Sequence, residues 1–186
     1  MKTIAVLVGS NRKESINLKF AQALEKLAAG RLKFDYVDLV SLPMYNDDDI
    51  PNYPASAQAL KDKVEAADGV LFVTPEYNRS IPPILKNAVD WASRPWGKNS
   101  WVGKHAAIVG ASPGAIGTIA AQMHLRAIMV GLGTILMGRP EVYFQMRPGL
   151  VDENNDITDP ETKTFLSGFI DDFASWVGVE ENRSAA

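Results

Sequence analysis

The chain has 186 residues, 46% of them hydrophobic, with 19 Lys plus Arg against 22 Asp plus Glu, a formal charge of −3 and no cysteine. That length and apolar fraction suffice for one domain with its own core, while the mild negative charge offers no general attraction to nucleic acid or to an anionic membrane surface. Without cysteine there are no disulfides, thiolate nucleophiles or thiolate metal sites.

Met1-Lys2-Thr3 leads, with no long apolar segment, into a strand expected over Thr3–Val8. No stretch approaches the length needed to cross a bilayer, so the expected location is the cytoplasm. Ile4 to Val8 is an uninterrupted apolar run of the kind a strand buried on both faces requires. Gly9-Ser10-Asn11-Arg12-Lys13-Glu14 then hands over to a helix expected over Ser15–Ala29, where Leu18, Ala21, Leu24, Leu27 and Ala28 recur at helical spacing. The first N–H groups of such a helix lack internal partners and carry the positive end of its dipole, so this turn reads as an anion cradle. Ser10, Arg12, Ser15 and Asn17 add side-chain donors. Ser15 equally suits an ordinary N-cap, and Arg12 and Lys13 would pass for solvated charges anywhere but beside a helix start.

A second strand is expected over Phe34–Asp38, followed by a polar, proline-flanked stretch containing Asp47-Asp48-Asp49. This triplet lacks the spaced ligands and glycine of a calcium loop and reads as solvated. A helix over Ala55–Ala67 and a strand over Gly69–Thr74 precede the proline-bracketed loop Pro75-Glu76-Tyr77-Asn78-Arg79-Ser80-Ile81-Pro82. Pro83 suits the first turn of a helix running to Ser93. Next come a strand over His105–Gly110, the small-residue turn Ala111-Ser112-Pro113-Gly114-Ala115-Ile116-Gly117, and a helix over Ala115–Leu132. Two weaker strand candidates, Thr134–Met137 and Glu141–Tyr143, precede a last helix over Pro160–Val177, capped at Asp159-Pro160. One domain is expected over 1–179, with 180–186 as a tail.

Strand and helix alternate throughout, which predicts a parallel sheet with helices on both faces, a doubly wound α/β fold. Such sheets bind ligands at the carboxyl ends of their strands, where three segments fall. The 9–17 turn supplies anion donors, the 75–82 loop offers its backbone and Tyr77 to a flat ligand, and the 111–117 turn lets a ring approach the main chain. Each alone passes for a common turn; their joint placement predicts a phosphorylated, planar, aromatic ligand.

Read as Gly-Ser-x-Arg-x-x-Ser-x-Asn, Pro-Glu-Tyr-Asn-x-Ser-x-Pro followed by Leu85-Lys86-Asn87-Ala88-Val89-Asp90-Trp91, and Ser-Pro-Gly-x-x-Gly, the three segments resemble the NADPH-dependent FMN reductase family, which includes bacterial quinone, azo-dye and chromate reductases. The resemblance implies a flavodoxin-like sheet of five parallel strands in the order 2-1-3-4-5, non-covalent FMN, NADH or NADPH as co-substrate, and assembly as homodimers or homotetramers. It places Ser10, Arg12, Ser15, Asn17 and Leu18 at the FMN phosphate. Pro75, Glu76, Tyr77 and Asn78 fall along the isoalloxazine, with Ser112 and Gly114 on its other side. The flavin itself carries the chemistry at N5, so no catalytic acid or nucleophile is required. Backbone N–H groups of the Tyr77–Asn78 and Ser112–Gly114 turns are expected to aim at the ring as fixed dipoles. Quinones, azo compounds and oxyanions such as chromate are the implied small-molecule acceptors. Because donor and acceptor share one ring face, ping-pong kinetics are expected.

In the helix expected over Ala115–Leu132, Ile116, Ile119, Ala120, Met123, Ala127 and Val130 form one stripe, while Ala121, Leu125, Ile128, Met129 and Leu132 occupy the other faces. A helix apolar all round is covered all round, so its outer face is expected to meet another subunit, with the 83–93 helix beside it. Arg79, Arg94 and Lys98 are expected at the crevice mouth, and Trp91, Trp96 and Trp101 near the cofactor edge as core or interface residues. His105 and His124 accompany no ligand motif, so no metal centre is expected. Two rival readings are weaker. A dinucleotide enzyme with Asp38 on a ribose would want glycines where Asn11 and Glu14 stand. A flavodoxin-like electron carrier would be strongly acidic. No Gly-Lys-Ser/Thr follows the first turn, which removes a P-loop nucleotidase.

Overall fold

Only a sheet covered on both faces buries strands as thoroughly as the first and third apolar runs require, and the computed structural model, which describes residues 1–178, shows such a sheet. Its strands are β1 (Lys2–Val8), β2 (Leu32–Tyr36), β3 (Gly69–Val73), β4 (His105–Ser112), β5 (Ile135–Leu136) and β6 (Val142–Gln145), all parallel. The helices are α1 (Ile16–Leu27), α2 (Ala55–Ala66), α3 (Pro83–Ala92), α4 (Ile119–Gly131) and α5 (Pro160–Trp176), and a short 3-10 turn spans Asp47–Asn52. The expected tail over 180–186 lies outside the described residues.

The spatial order is β2-β1-β3-β4-β5, with β6 also pairing β4. The expected order 2-1-3-4-5 is therefore present, with one correction: the fifth position is shared by two segments. β5 pairs the start of β4, His105 against Ile135, and β6 pairs its end, Val109 to Ser112 against Val142 to Gln145. Gly138-Arg139-Pro140 separates them, and Pro140 has no N–H to give a ladder.

Alternate residues of each strand feed opposite cores. Ile4, Val6, Leu71 and Val109 pack with Phe20, Leu24, Phe169 and Phe173 of α1 and α5. Ala5, Leu7, Phe72 and Ile108 pack with Leu60, Leu85, Trp91 and Leu125 of α2, α3 and α4. Trp91 and Trp101 are core residues, their indole N–H groups donating to the carbonyls of Pro43 and Val89 at 2.8 and 2.9 Å.

Helix starts follow local chemistry. Ser15 caps α1, its Oγ accepting from the Leu18 amide at 3.2 Å, and Asp159 caps α5 through the Thr162 amide at 2.8 Å. α4 begins at Ile119 rather than at the expected Ala115. Gly117 lies at φ +59, and a Cβ there would stand 2.6 Å from the Tyr143 carbonyl carbon, so the chain crosses β6 as a loop before it coils.

Candidate functional site

The turn after β1 is held against the core by the Gly9 amide, which donates to Val73 O at 2.9 Å. A Cβ on Gly9 would stand 2.9 Å from Pro82 Cγ and 3.2 Å from Leu85, so glycine lets this turn lie against the end of the 75–82 loop. Beyond it Asn11 to Glu14 are exposed. The amides of Ser10, Asn11, Ile16 and Asn17 find no acceptor among the described residues. Those free donors stand beside Arg12 at the positive end of α1, a donor set that suits a phosphate. A cleft of about 610 Å³ borders this turn, lined by Arg12, Lys13, Ser15, Ile16 and Lys19 but also by Glu14 and Glu153, and Ser10, Asn11 and Asn17 are not part of its wall.

Two residues assigned to the anion have other employment. Asn17 is buried, its Nδ2 donating to Ala111 O and its Oδ1 accepting from Ala111 N, both at 2.9 Å. Its side chain stitches α1 to β4, leaving only its amide for a ligand. The Leu18 amide is taken by Ser15 Oγ, so Ser15 is both the N-cap and a hydroxyl still able to donate.

In the second loop Tyr77 and Ser80 exchange backbone hydrogen bonds, both 3.0 Å, around Asn78 at φ +50 and Arg79 at φ +66. This is a tight two-residue turn with both central residues left-handed. It consumes the Tyr77 amide, so the expectation that this group aims at the ring is corrected; the turn offers the Asn78 amide and a Tyr77 ring that is 43% exposed. The Glu76 carboxylate is engaged within the protein. Oε2 accepts from the Ala120 and Ala121 amides of α4 at 2.9 and 3.2 Å, and Oε1 accepts from Arg79 Nη1 at 3.0 Å. Both carboxylate oxygens of Glu76 are thus engaged, with acceptor capacity left on Oε1. Ser80 Oγ lies 3.0 Å from His124 Nδ1.

In the third loop Ser112 Oγ donates to Gly117 O at 2.8 Å and fixes the turn. A Cβ on Gly110 would stand 2.1 Å from both Thr74 O and Thr118 Oγ1, so glycine lets the end of the third strand and the start of α4 close in on β4. At Gly114 a Cβ would meet only Ser112 Oγ, at 3.6 Å, which leaves that position open to an approaching ring. β6 pairing adds residues that no sequence motif marks: Met146 N donates to Ser112 O at 2.8 Å, and Gln145 Nε2 to Pro113 O at 3.2 Å. The three loops thus converge as expected.

Other candidates fall elsewhere. Arg79 stays at the carboxyl end, but Arg94, Trp96 and Lys98 lie at the amino end of the sheet. There Ser100 N bonds Ala92 O, Asn99 Nδ2 bonds Leu132 O, and Lys104 Nζ bonds Ala67 O just ahead of β3. The chain leaves the site along α3 and must return to the start of β4, so everything between them sits opposite the crevice. Asp38 is occupied by its own turn: hydrogen bonds from the Ser41 side chain, then from the Ser41 and Val40 amides, hold its carboxyl below the usual range. Both amides go to Oδ1. Among the described residues no cluster of three His, Cys, Asp or Glu could hold a metal. A larger cleft of about 870 Å³ lies at the strand break against α5, lined by Met137, Arg139, Glu141, Asp172 and Trp176, away from the three loops and their donors.

Residues 2–148 match the family described as NADPH-dependent FMN reductase. A 2-hydroxy-1,4-benzoquinone reductase from a Burkholderia species is 48% identical over 174 residues, covering 94% of this chain and 95% of that protein. A quinone reductase from Pseudomonas putida is 44% identical over 176 residues, covering 94% of each. Among solved structures FerB, a flavoenzyme NAD(P)H:(acceptor) oxidoreductase from Paracoccus denitrificans, superposes with a TM-score of 0.93 at 48% identity, over 95% of this chain and 97% of that one. With the phosphate-type donor set, the converging loops and matches across nearly its whole length, the chain belongs to the NADPH-dependent FMN reductase family.

Proposed function

We propose that this NAD(P)H-dependent, FMN-using oxidoreductase passes electrons to quinones in the cytoplasm, with azo compounds and metal oxyanions such as chromate as further acceptors. The observation that carries the reading is the row of unpartnered amides at Ser10, Asn11, Ile16 and Asn17 beside Arg12, opposite a loop with an exposed Tyr77. Ser10, Arg12, the Ser15 hydroxyl and those amides would hold the FMN phosphate. Pro75, Tyr77 and the Asn78 amide would lie along the ring, with Ser112 and Gly114 closing its other side. When bound, FMN accepts a hydride from the nicotinamide and hands electrons to the acceptor. The chain contributes position and fixed dipoles: oriented amides offset negative charge gained on reduction, and the packed loops keep water from one face of the ring.

One accessible face requires the oxidised nicotinamide to leave before the acceptor enters. Initial rates with NADH or NADPH varied at several fixed benzoquinone concentrations are expected to give parallel double-reciprocal lines. Intersecting lines would contradict the shared face, and absence of steady turnover would favour an electron carrier.

The exposed apolar residues Ile116, Ile119, Met123 and Val130 on and before α4 support a second copy of the chain as its cover. No helix among the described residues is long and apolar enough to cross a membrane.

A further inference from the structure

The helix that follows the third loop lacks a local cap. Thr118, at the N-cap position of α4, makes no capping bond; its Oγ1 accepts instead from Gln122 Nε2 at 3.0 Å. The cap comes from Glu76 in the second loop, 44 residues earlier, whose carboxylate takes the Ala120 and Ala121 amides. Its side chain is only 8% exposed. A carboxylate at that depth needs compensation, and two sources reach it: the positive end of α4 and the Arg79 guanidinium.

Arg79 is itself out of place by backbone criteria. It occupies a left-handed position in a two-residue turn, at φ +66, where glycine is the less strained residue. From there its guanidinium reaches Glu76 Oε1 at 3.0 Å. Four residues on from Glu76, Ser80 makes a second attachment to α4 through His124. The turn is thus tied to α4 at both ends, and Tyr77, Asn78 and Arg79 project between the ties.

We propose that Glu76, Arg79 and the first turn of α4 form an electrostatic clamp that positions the 76–80 turn and sets the reduction potential of the flavin lying on it; the second half rests on the flavin reading above. Reduction adds negative charge to the flavin. An uncompensated cation nearby favours the reduced form and an uncompensated carboxylate disfavours it. Inside the clamp these charges are balanced, so removing either member unbalances the site in a known direction. Both are positioning residues, acting on the flavin through the turn and through their field.

Two arms test the clamp. In the protein without flavin, hydrogen exchange resolved to single amides reads Ala120 and Ala121 directly. Glu76→Ala is expected to speed exchange there by roughly tenfold or more, and unchanged exchange would overturn the clamp whether or not FMN binds. In the FMN-loaded protein, redox titration reads the field. Glu76→Gln keeps an acceptor for the α4 amides but loses the charge, and is expected to move the midpoint potential positive. Arg79→Gln is expected to move it negative. Shifts of the same sign, or none, would overturn the electrostatic role, because a purely structural loosening has no reason to act in opposite directions. A wild-type chain that takes up no FMN would defeat the flavin reading and, with it, the potential-setting role, while the exchange arm still decides the clamp.

Discussion

Asn17 is read from sequence as a phosphate donor and serves in the fold as a staple. A buried amide side chain matched against both the N–H and the C=O of one residue is the most economical way to join a helix to a strand. The spacing Ser-x-Asn at a helix start carries no mark of that use, because the partner, Ala111, is 94 residues away. Asn17→Ala would leave both polar groups of a buried backbone unpaired, and a loss of about 1–3 kcal/mol is expected in urea unfolding of the flavin-free protein. An unchanged midpoint would mean that Ala111 is satisfied elsewhere. Glu76 teaches the same lesson. Its type and position are plain in the sequence, but its hydrogen-bond partners belong to a helix that meets it only after the chain has wound through α3 and β4. Ser15 was legible as the N-cap because a cap acts on the residues that follow it.

Elements were easier to read than the tasks of their residues, since periodicity is local. β1, α1, α2, β3, α3 and α5 lie within a few residues of their expected bounds. Two departures come from contacts across the sheet: α4 starts late because Gly117 passes over Tyr143, and the fifth strand is broken at Gly138-Arg139-Pro140. The misplacement of Arg94 and Lys98 has another cause. A helix between two parallel strands runs antiparallel to them, so the segment joining α3 to the start of β4 lies at the amino end of the sheet in this chain. The composition of α4 was informative. Its inner residues Ala121, Leu125 and Met129 are buried as expected, while Ile119, Met123 and Val130 are left 38%, 42% and 63% exposed. A stripe of this kind is what a contact with another molecule would cover, and the proposed cover is a second copy of the chain. Light scattering after size exclusion is expected to find the wild-type chain as a dimer or a larger even assembly, and Met123→Glu to shift it toward monomer. A monomeric wild type, or a variant of unchanged mass, would contradict an interface on α4.

At the scale of the whole molecule, the sheet order decides where chemistry is possible. In the order 2-1-3-4-5 the winding reverses between β1 and β3, and the loops after those strands splay apart to leave a crevice. Gly9 lets the 75–82 loop pack against the base of the first turn, and Glu76 and Ser80 tie the same loop to α4, so three segments far apart in sequence share one rim. On the proposed reading the free amides at the start of α1 take the anion and the Tyr77 turn takes the ring. An FMN site with its anion at the β1–α1 turn is the claim on which the functional reading stands. The most direct measurement is a visible spectrum of the purified protein, supplied with FMN, desalted, and then mixed anaerobically with NADPH or NADH. Retention of a yellow flavin band that bleaches when the nicotinamide is added is the expected result; a protein that emerges colourless from desalting would contradict it.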